Sequence, residues 1–445
     1  MTEYEYIYYK EDDGKIRFCE DDDDIKYAKN VEVKYIIKIP IDLEEDGLSL
    51  TVPEEIDGLP VGMANIVVVP PLDHPVSKLE DPLIKYLYIP STVRHISIET
   101  IKMDGVDLLS ACQVEISPAN PYLCIYENGI YNKEMTELYY IFLTEECVGG
   151  HFEVPAGVKR IKSGAGRMLK GLRRLTIPES VEVIEGKAFE YCFDLEYADI
   201  GAQNIGQRAF CSCNSLKEVN LRNGLQKIED HAFAYSDIQK LTMPPSVRDI
   251  GLYILQNADP TCLTLEVYSI NGTLPKMHGS PSEFGTLLVV HSAETNEKLC
   301  EFVILGKINK VFTEHGVDFT GYDEPFKRDF SSQGFSFKVG LRAAQVRLAG
   351  LGEADEEKRE FFKEYISNAA FLITLNAVIQ YPNPRTDADI TEETYLDLIT
   401  DDDLLGIIDQ AAQMGKPEVT VRLLQYQHDK RSELNFRPLS LENLL

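Results

Sequence analysis

The sequence predicts an α+β protein, in which a solenoid of units of about 22 residues is preceded by an N-terminal β cap and followed by a C-terminal α-helical domain. Three observations predict it: Tyr alternates with other residues near the start, a set of apolar positions recurs in the middle, and the apolar period becomes helical near the end. We expect the cap over residues 1–49, the solenoid over 50–270 with an irregular insert near 103–150, a β-rich continuation and linker over 271–328, and the helical domain over 329–445.

The cap is predicted from a hairpin pattern. Tyr occupies every second position from residue 4 to residue 8, Asp12-Asp13-Gly14 is typical of a turn, and Ile16 and Phe18 resume the alternation. Because an open end of a repeat array exposes its core, we expect this hairpin to cover the first unit.

The solenoid is predicted from an internal repeat. Each unit has an Ile, followed at the fourth and fifth positions by a small residue and, usually, Phe. The units are Ile161 with Ala165-Gly166, Ile184 with Ala188-Phe189, Ile205 with Ala209-Phe210 and Ile228 with Ala232-Phe233, and Ile250 continues the register. Successive Ile residues are 23, 21, 23 and 22 positions apart.

An apolar triplet follows each of the first four Ile residues by ten or eleven positions. Two residues and then one separate its members, so the last two lie on one face of a short strand. The triplets are Leu172, Leu175 and Ile177; Leu195, Ala198 and Ile200; Leu216, Val219 and Leu221; and Ile238, Leu241 and Met243. A single unit cannot bury this side alone, so we expect stacked units to share one core with the Ala-Phe pairs opposite the strands.

At these residues the sequence resembles the BspA-type leucine-rich repeats. The unit that runs from Leu172 through Ile177-Pro178 and Ser180-Val181 to Ala188-Phe189 and Cys192 follows their pattern almost throughout. Fainter copies lie at 87–96 and 152–161, and 52–61 looks like the lead-in often found in the family, so the resemblance covers roughly residues 50 to 270. It implies a leucine-rich-repeat solenoid.

Changes of period predict the regions after the repeats. Apolar runs at 287–290 and 302–305 predict two strands, and from about Phe335 a period of 3.6 predicts helices that Gly350 and Gly352 interrupt. The last two helices form a hairpin similar to a single ankyrin-like unit. Its predicted parts are N-caps at Asp401 to Asp403, an apolar face of Leu404, Ile407, Ile408, Ala411 and Met414, a stop at Gly415, and a second helix that starts at Pro417 and carries Val421, Leu423 and Leu424.

Charge and composition limit the partners and the compartment. The chain has 44 Lys and Arg against 73 Asp and Glu, a net charge of −29, so we expect neither a nucleic-acid nor a membrane partner. No apolar run is long enough to span a membrane, and the first ten residues do not follow the pattern of a signal peptide. We therefore expect a cytoplasmic protein whose nine cysteines are free thiols.

Two Gly- or Asp-rich patterns suggest ligand sites, and both have a simpler explanation. Gly164-Ala165-Gly166 with Gly171 superficially suggests a phosphate loop, but Ala165-Gly166 stands at the Ala-Phe position of its unit and no Lys-Ser or Lys-Thr follows. Asp21 to Asp24 could bind calcium, but they lack the Gly turn and the ligand order of a calcium loop. We expect a repeat position and a solvated acidic run.

Cys192, Cys211 and Cys213 are of a residue type that ligates zinc. Cys192 and Cys213, however, each stand three residues after the Phe, where Ser236 stands in the next unit. This phase favours a small residue packed inside the turn. We expect no metal, no cofactor and no catalytic site.

The outward strand positions are the candidate protein-binding face, because residues there can vary without disturbing the core. An ordinary solvated sheet face explains the same pattern. The candidates are Arg174, Thr176, Tyr197, Asp199, Glu218, Asn220, Lys240 and Thr242. The resemblance and this face together favour a non-catalytic protein-protein interaction module, and the acidic excess predicts a partner with a basic patch.

Two alternative functions stay open at this stage. A cell-surface adhesin would match where many BspA-type arrays operate, but it needs an export signal that is not recognisable in this sequence. A hydrolase or metal-binding enzyme would need a site assembled from distant residues by folding, since the eight His residues lie far apart along the chain.

Overall fold

The structure of the protein is a computed structural model. It describes residues 3–12, 15–18, 31–40, 48–69, 84–100, 113–142, 150–256, 263–271, 273–281, 286–304, 312–313, 316–317, 319–328, 337–380 and 396–434. The chain forms two compact units, the first from residues 1–259 and 275–283 and the second from residues 260–274 and 284–445. The predicted α+β class is confirmed, with a β-solenoid in the first unit and helices in the second.

The N-terminal part of the first unit is built from nine strands. They are β1 (Glu3–Asp12), β2 (Lys15–Phe18), β3 (Val31–Pro40), β4 (Leu48–Thr51), β5 (Glu55–Ile56), β6 (Leu59–Val69), β7 (Ile84–Ile89), β8 (His95–Thr100) and β9 (Gln113–Ile116). The predicted hairpin is β1 and β2, which pair antiparallel with Tyr9 opposite Phe18. β1 also pairs with β3, and β3 pairs in parallel with β6, so the hairpin continues directly into a sheet of the solenoid.

The faint copies at the start of the repeats also form solenoid strands. β4, β7 and β9 make one parallel sheet, while β6 and β8 pair in parallel in another. Leu87, Ile89, Val93 and Ile96 are all buried, as their repeat positions predict. The copy at 87–96 therefore has the same construction as the regular units that follow.

Hydrogen bonds of the buried Asn120 side chain connect the next segment to this copy. The Nδ2 of Asn120 donates to the carbonyl oxygens of Pro90 (2.7 Å) and Val93 (2.9 Å), and its Oδ1 accepts from the backbone N–H groups of Tyr122 and Leu123, both at 2.8 Å. Both polar atoms of the side chain thus form two hydrogen bonds each to backbone groups, which offsets the cost of burying an amide. The segment continues as β10 (Leu123–Tyr126), β11 (Gly129–Asn132) and β12 (Glu137–Ile141), an antiparallel meander within the predicted insert.

The regular units contribute short strands to two parallel sheets, with β21 outside both of them. The strands are β13 (His151–Glu153), β14 (Arg160–Ile161), β15 (Arg174–Ile177), β16 (Val183–Ile184), β17 (Tyr197–Ile200), β18 (Asn204–Ile205), β19 (Glu218–Leu221), β20 (Lys227–Ile228), β21 (Lys240–Thr242), β22 (Asp249–Ile250) and β24 (Lys276–Met277). One sheet runs β13-β15-β17-β19 and the other runs β12-β14-β16-β18-β20-β22-β24. The five Ile residues of the repeat, from Ile161 to Ile250, stand side by side in the second sheet and are fully buried.

The centre of the core is a stack of three rings, Phe189, Phe210 and Phe233, which we call the Phe stack. All three side chains are 0% exposed, neighbouring ring centroids are 5.3 Å apart, and the rings are inclined by only 9° and 7°. Gly166 takes the Phe position one unit earlier, and a Cβ atom there would lie 2.7 Å from the ring of Phe189. The missing Phe is therefore explained, because the neighbouring ring fills the space that a side chain would need.

The apolar triplets point inward almost as predicted. Eleven of the twelve side chains are buried, and Val219, which is half-buried, is the exception. The turns that carry the Phe stack are bonded from unit to unit as well. The N–H of Phe189 donates to the carbonyl of Ala209, and that of Phe210 to the carbonyl of Ala232, both at 2.7 Å.

Left-handed backbone recurs at two positions in these turns. The residue before each Ala and the second residue after each Phe have positive φ, at Lys187 and Tyr191 (61° and 66°), Arg208 and Ser212 (58° and 61°), and His231 and Tyr235 (both 58°). L-residues adopt this conformation at a cost of order 1 kcal/mol. The ladder of turn hydrogen bonds and the buried rings hold these residues in it.

A buried ion pair also crosses three consecutive units. Glu190, whose side chain is 2% exposed, accepts from the Nε of Arg167 at 2.9 Å and from the Nε of Arg208 at 2.8 Å. Both arginines belong to neighbouring units, so the carboxylate links the unit before it to the unit after it. Two charge-assisted hydrogen bonds offset the cost of removing this carboxylate from water.

The second unit begins with strands and ends with helices. Its elements are β23 (Thr264–Ser269), β25 (Leu287–Ser292), β26 (Lys298–Val303), β27 (Phe312–Thr313), β28 (Gly316–Val317), α1 (Thr320–Asp323), a 3-10 helix (Glu324–Lys327), α2 (Phe337–Ala349), α3 (Glu356–Gln380), a 3-10 turn (Leu396–Leu398), α4 (Asp401–Gln413) and α5 (Pro417–Leu434). The two predicted strands are β25 and β26, which pair antiparallel. No described helix has both the length and the apolar content that crossing a membrane requires.

The predicted helical hairpin is α4 and α5, with two corrections. The N-cap is Thr400, whose hydroxyl accepts from the N–H of Asp403, and Asp401 to Asp403 form the first turn instead. Met414, Val421 and Leu424, assigned to apolar faces, are between 42% and 60% exposed. The predicted boundaries at Gly415 and Pro417 are correct: Gly415 has a φ of 68° just past the end of α4, and Pro417 begins α5.

Truncation of the middle ring is expected to destabilise the solenoid strongly. Phe210→Ala removes a fully buried ring that stacks on two others, so the free energy of unfolding should fall by about 3 to 5 kcal/mol. Phe210→Leu keeps most of the apolar volume and should cost about 1.5 kcal/mol or less. Chemical denaturation of both variants measures this, and a loss for Phe210→Ala no larger than that for Phe210→Leu would contradict the stack.

Neutralising Glu190 is expected to cost about 1 to 3 kcal/mol, because it leaves two arginines without their buried partner while their partly exposed side chains can still reach water. Lys227→Gln is the matched control. Its ion pair with Glu229 has both side chains 42% exposed, so its loss should cost no more than about 0.5 kcal/mol. Equal unfolding midpoints for Glu190→Gln and Lys227→Gln would refute a stabilising role for the buried pair.

Candidate functional site

The structure places the eight candidate residues at outward positions of consecutive strands. Parallel pairing aligns Arg174 with Tyr197 and Glu218 in one row, and Thr176 with Asp199 and Asn220 in a second row. Lys240 and Thr242 are exposed on β21, which lies beside β19. We call these residues the strand face.

Two further residues extend the strand face by one unit. His151 on β13 aligns with Arg174, and Glu153 aligns with Thr176. Both are exposed, and a ring nitrogen of His151 lies 3.1 Å from the hydroxyl of Thr176. Their outward positions could have been predicted from the sequence, because they flank Phe152, the inward residue of the copy at 152–161.

The first row of the strand face contains a contact between Arg174 and the aromatic ring of Tyr197. The guanidinium carbon of Arg174 lies 4.9 Å from the centre of the Tyr197 ring, a cation–π contact. Tyr197 is half-buried and Arg174 is exposed. The contact restricts both side chains before any partner binds, which lowers the entropy lost on binding.

The second row contains the carboxylate of Asp199, which accepts hydrogen bonds from two neighbouring side chains. The Nε of Arg222 and the Nδ2 of Asn220 each donate to Oδ1 of Asp199 at 2.9 Å, and Nη2 of Arg222 donates to Oδ2. The hydrogen bond from Arg222 holds the pKa of Asp199 below its usual value. Asp199 is therefore committed to residues of its own chain, and Arg222 presents its remaining N–H groups at this surface. Sequence reasoning missed Arg222, because it stands just after β19, at the position that Pro178 and Gly201 take in the two preceding units.

The repeats carry almost no net charge. Residues 150–256 contain 14 Lys and Arg against 13 Asp and Glu, whereas residues 1–149 contain 12 against 30 and residues 257–445 contain 18 against 30. The strand face contains both signs. The acidic excess of the chain is thus carried by the parts that flank the regular repeats.

The cysteines of the repeats occupy packed turn positions. The Sγ of Cys192 donates to the carbonyl of Gly166 at 2.9 Å, and that of Cys213 to the carbonyl of Phe189 at 3.2 Å, while Ser236 donates to Phe233 at 2.7 Å. The interpretation as small residues packed in the turn is confirmed for Cys192 and Cys213. Burial raises the pKa of Cys213 well above that of an ordinary thiol.

The Gly-rich pattern at residues 164–166 belongs to the packed core of the repeats. Ala165 is fully buried, and Gly166 lies against the Phe stack, so both occupy the repeat position that the register predicted. Asp21 to Asp24 lie outside the described residues. Within the described ranges, no three His, Cys, Asp or Glu side chains are grouped as metal ligands would be.

The repeat region identifies a family. Residues 140–261 match the family model for the BspA type Leucine rich repeat region in six copies. This part of the chain is a BspA-type leucine-rich-repeat region. The match begins at residue 140, whereas the resemblance in the sequence reached back to about residue 50.

Solved structures of bacterial leucine-rich-repeat proteins are similar to this chain. The pneumococcal vaccine antigen PcpA aligns over 53% of this chain and 89% of its own, with 13% identity and a TM-score of 0.32. A leucine rich cell surface protein from Faecalibacterium prausnitzii aligns over 59% and 55%, with 19% identity and a TM-score of 0.26. A leucine-rich repeat protein from Bacteroides ovatus aligns over 54% and 90%, with 13% identity and a TM-score of 0.26.

No curated protein matches the chain significantly.

The thiols of the protein are expected to be reduced, metal-free and slow to react in the folded state. Burial raises the pKa of Cys300 to about 11, so its thiolate fraction at pH 8 should be about 100-fold lower than that of an ordinary thiol. Its alkylation rate should rise about tenfold per pH unit above pH 8 while the protein stays folded.

Alkylation followed by mass spectrometry measures these rates, and elemental analysis measures bound metal. Denatured protein is the control and should react rapidly at all nine cysteines. Stoichiometric zinc, a disulfide between Cys192 and Cys213, or rapid modification of Cys300 at pH 8 in the folded protein would show the expectation to be wrong.

Proposed function

We propose that this protein is a non-catalytic protein-binding module that uses the strand face of its leucine-rich repeats. One observation carries the proposal: the outward side chains of the four paired strands β13, β15, β17 and β19, with β21 beside them, lie on one side of the repeats, while alternate side chains of the same strands pack in the core. Recognition and stability therefore depend on different residues, which is the property that suits repeat solenoids to binding proteins.

Tyr197 and Arg174 are the proposed energetic centre of this surface. Tyr and Arg supply a large share of interface hot spots, and this pair is already in contact at 4.9 Å. The ring offers apolar area at a low entropic cost, and the guanidinium keeps donors for a partner. Lys240 and Glu218, both exposed, are proposed to add polar contacts at the rim.

We further propose that the partner presents a basic patch. The strand face itself is mixed in charge, so the attraction comes from the acidic segments on either side of residues 150–256. Such long-range attraction accelerates association more than it tightens the complex. Salt screens it over about 10 Å at 0.1 M, so the association rate should fall as salt is added.

The proposed compartment is the cytoplasm. The nine cysteines are an odd number in a long chain, for which free thiols in a reducing compartment are the default rather than a disulfide framework. Fractionation of the native cells with an antibody against the protein tests this. Recovery in the cell-surface fraction would favour the adhesin alternative.

Removal of the centre of the strand face is expected to abolish partner capture. The triple variant Arg174→Ala, Tyr197→Ala and Lys240→Ala removes both hot-spot candidates and a rim charge, while the core stays intact. Stability should change by no more than about 1 kcal/mol, most of it the loss of the Arg174–Tyr197 contact. Affinity capture from an extract of the native cells, quantified by mass spectrometry, compares the variant with the wild type.

A matched variant on the other sheet provides the control. Lys159→Ala, Glu182→Ala and Lys227→Ala also removes three partly exposed polar side chains and should leave capture unchanged. A photo-crosslinking residue at position 197 should label the same partner, and one at position 182 should not. Undiminished capture by the strand-face variant would move the site elsewhere, with α4 and α5 as the next surface to test.

A further inference from the structure

A polar cleft opens where the meander meets the early solenoid strands. β8 pairs in parallel with β6, and β12 pairs in parallel with β14, but among the described strands no ladder joins β8 to β12, although the two lie beside each other. A cleft of about 420 Å³ lies at this interruption, lined by Arg94, His95, Tyr122, Asn132, Glu134, Glu137 and Tyr139. Its size is within the range of small-molecule sites in proteins.

The ionisable groups of the cleft come from two different segments. Arg94 immediately precedes β8 and His95 begins it, whereas Glu134 and Glu137 come from the turn after β11 and the start of β12. A guanidinium group and carboxylates therefore enter the same cleft from separate parts of the fold. A ligand that carries both a carboxylate and an ammonium group has complementary charge for such an arrangement.

The groups at the centre of the cleft are held in position by the protein. Tyr139 is buried, its hydroxyl donates to Oε2 of Glu137 at 2.9 Å, and Nδ1 of His95 lies 3.3 Å from the same hydroxyl. The guanidinium carbon of Arg94 lies 4.9 Å from the centre of the Tyr122 ring. This preorganisation lowers the entropic cost of binding.

Two other ligand classes fit these groups less well. A phosphate or another multiply charged anion would meet the carboxylates of Glu134 and Glu137 as well as the guanidinium group of Arg94. A neutral sugar would normally stack on an aromatic ring, but Arg94 already covers a face of Tyr122, the ring that lines the cleft with an exposed side chain. The division of charge favours a zwitterion.

Glu137 already lies 3.9 Å from both Arg160 and Lys162, which leaves Glu134 as the carboxylate for a ligand cation. We propose that this cleft binds a small zwitterion of dipeptide size, with its carboxylate towards Arg94 and its ammonium group towards Glu134. The volume accommodates a dipeptide with room for its side chains. The proposal is independent of the strand face, because none of the lining residues belongs to it.

Calorimetric titration of the full chain tests the ligand class. The probes are dipeptides with Gly, Ala, Leu or Phe at the second position, N-acetyl-L-alanine with a carboxylate alone, L-alaninamide with an ammonium group alone, and maltose as a neutral sugar. We expect at least one dipeptide to bind at least tenfold more tightly than each of the other three probes. No binding by any dipeptide, or equal binding by N-acetyl-L-alanine or maltose, overturns the proposal.

Variants of the lining test the location. Glu134→Gln and Arg94→Gln should each weaken binding of the dipeptide at least tenfold. Glu179→Gln and Lys170→Gln, at exposed sites away from the cleft, make the same charge changes and should bind as the wild type does. Glu134 is exposed, so its variant keeps the fold even if Arg94→Gln lowers the melting temperature. Unchanged affinity in Glu134→Gln would show that the ligand binds elsewhere and overturn the assignment.

Discussion

The regular repeats depend on one constraint: a unit of about 22 residues cannot bury its own apolar side and must share a core with its neighbours. The Phe stack shows how closely this constraint fixes geometry. Strands in a sheet are about 4.8 Å apart, so identical side chains in successive units are placed nearly one above the other. The rings accordingly lie within 9° of parallel at 5.3 Å. In the second unit, where no repeat sets the spacing, the rings of Phe302 and Tyr322 are inclined by 73°.

The same constraint decides what the sequence could reveal. Inward residues must be similar in every unit, so Ile184, Phe210 and their equivalents could be assigned from spacing alone, and all are buried. Gly166 looked like a departure from the pattern, and only the structure shows that the ring of Phe189 occupies its place. The half-buried Val219 and the exposed Val421 and Leu424 show the limit of periodicity, which identifies an apolar face but not how far neighbouring elements cover it.

Polar contacts between units were beyond reach of the sequence for a related reason. Arg167, Glu190 and Cys211 occupy equivalent positions in three units, and Ala234 follows in the next, so the buried carboxylate of Glu190 belongs to no repeating pattern. The Asp199–Arg222 pair is likewise a single event, and it commits one of the outward candidates to the scaffold. The cleft residues lie between positions 94 and 139 and are brought together by an interruption of the ladder that no periodic signal marks. Positions that repeat from unit to unit therefore predict the core, whereas these polar contacts depend on residues that do not repeat.

Stacking also restricts where charge can accumulate. Two like charges about 5 Å apart repel by about 1 kcal/mol in water and by several times more near a protein surface. A charge repeated at the same position of every unit would lie beside its copies in both neighbouring units. The outward row of Arg174, Tyr197 and Glu218 avoids this by changing residue type at each step. Residues 150–256 are nearly neutral, while the acidic excess lies in residues 1–149 and 257–445. Under the proposed function, the flanking segments would govern how fast a basic partner arrives, and the nearly neutral strand face would govern which partner stays.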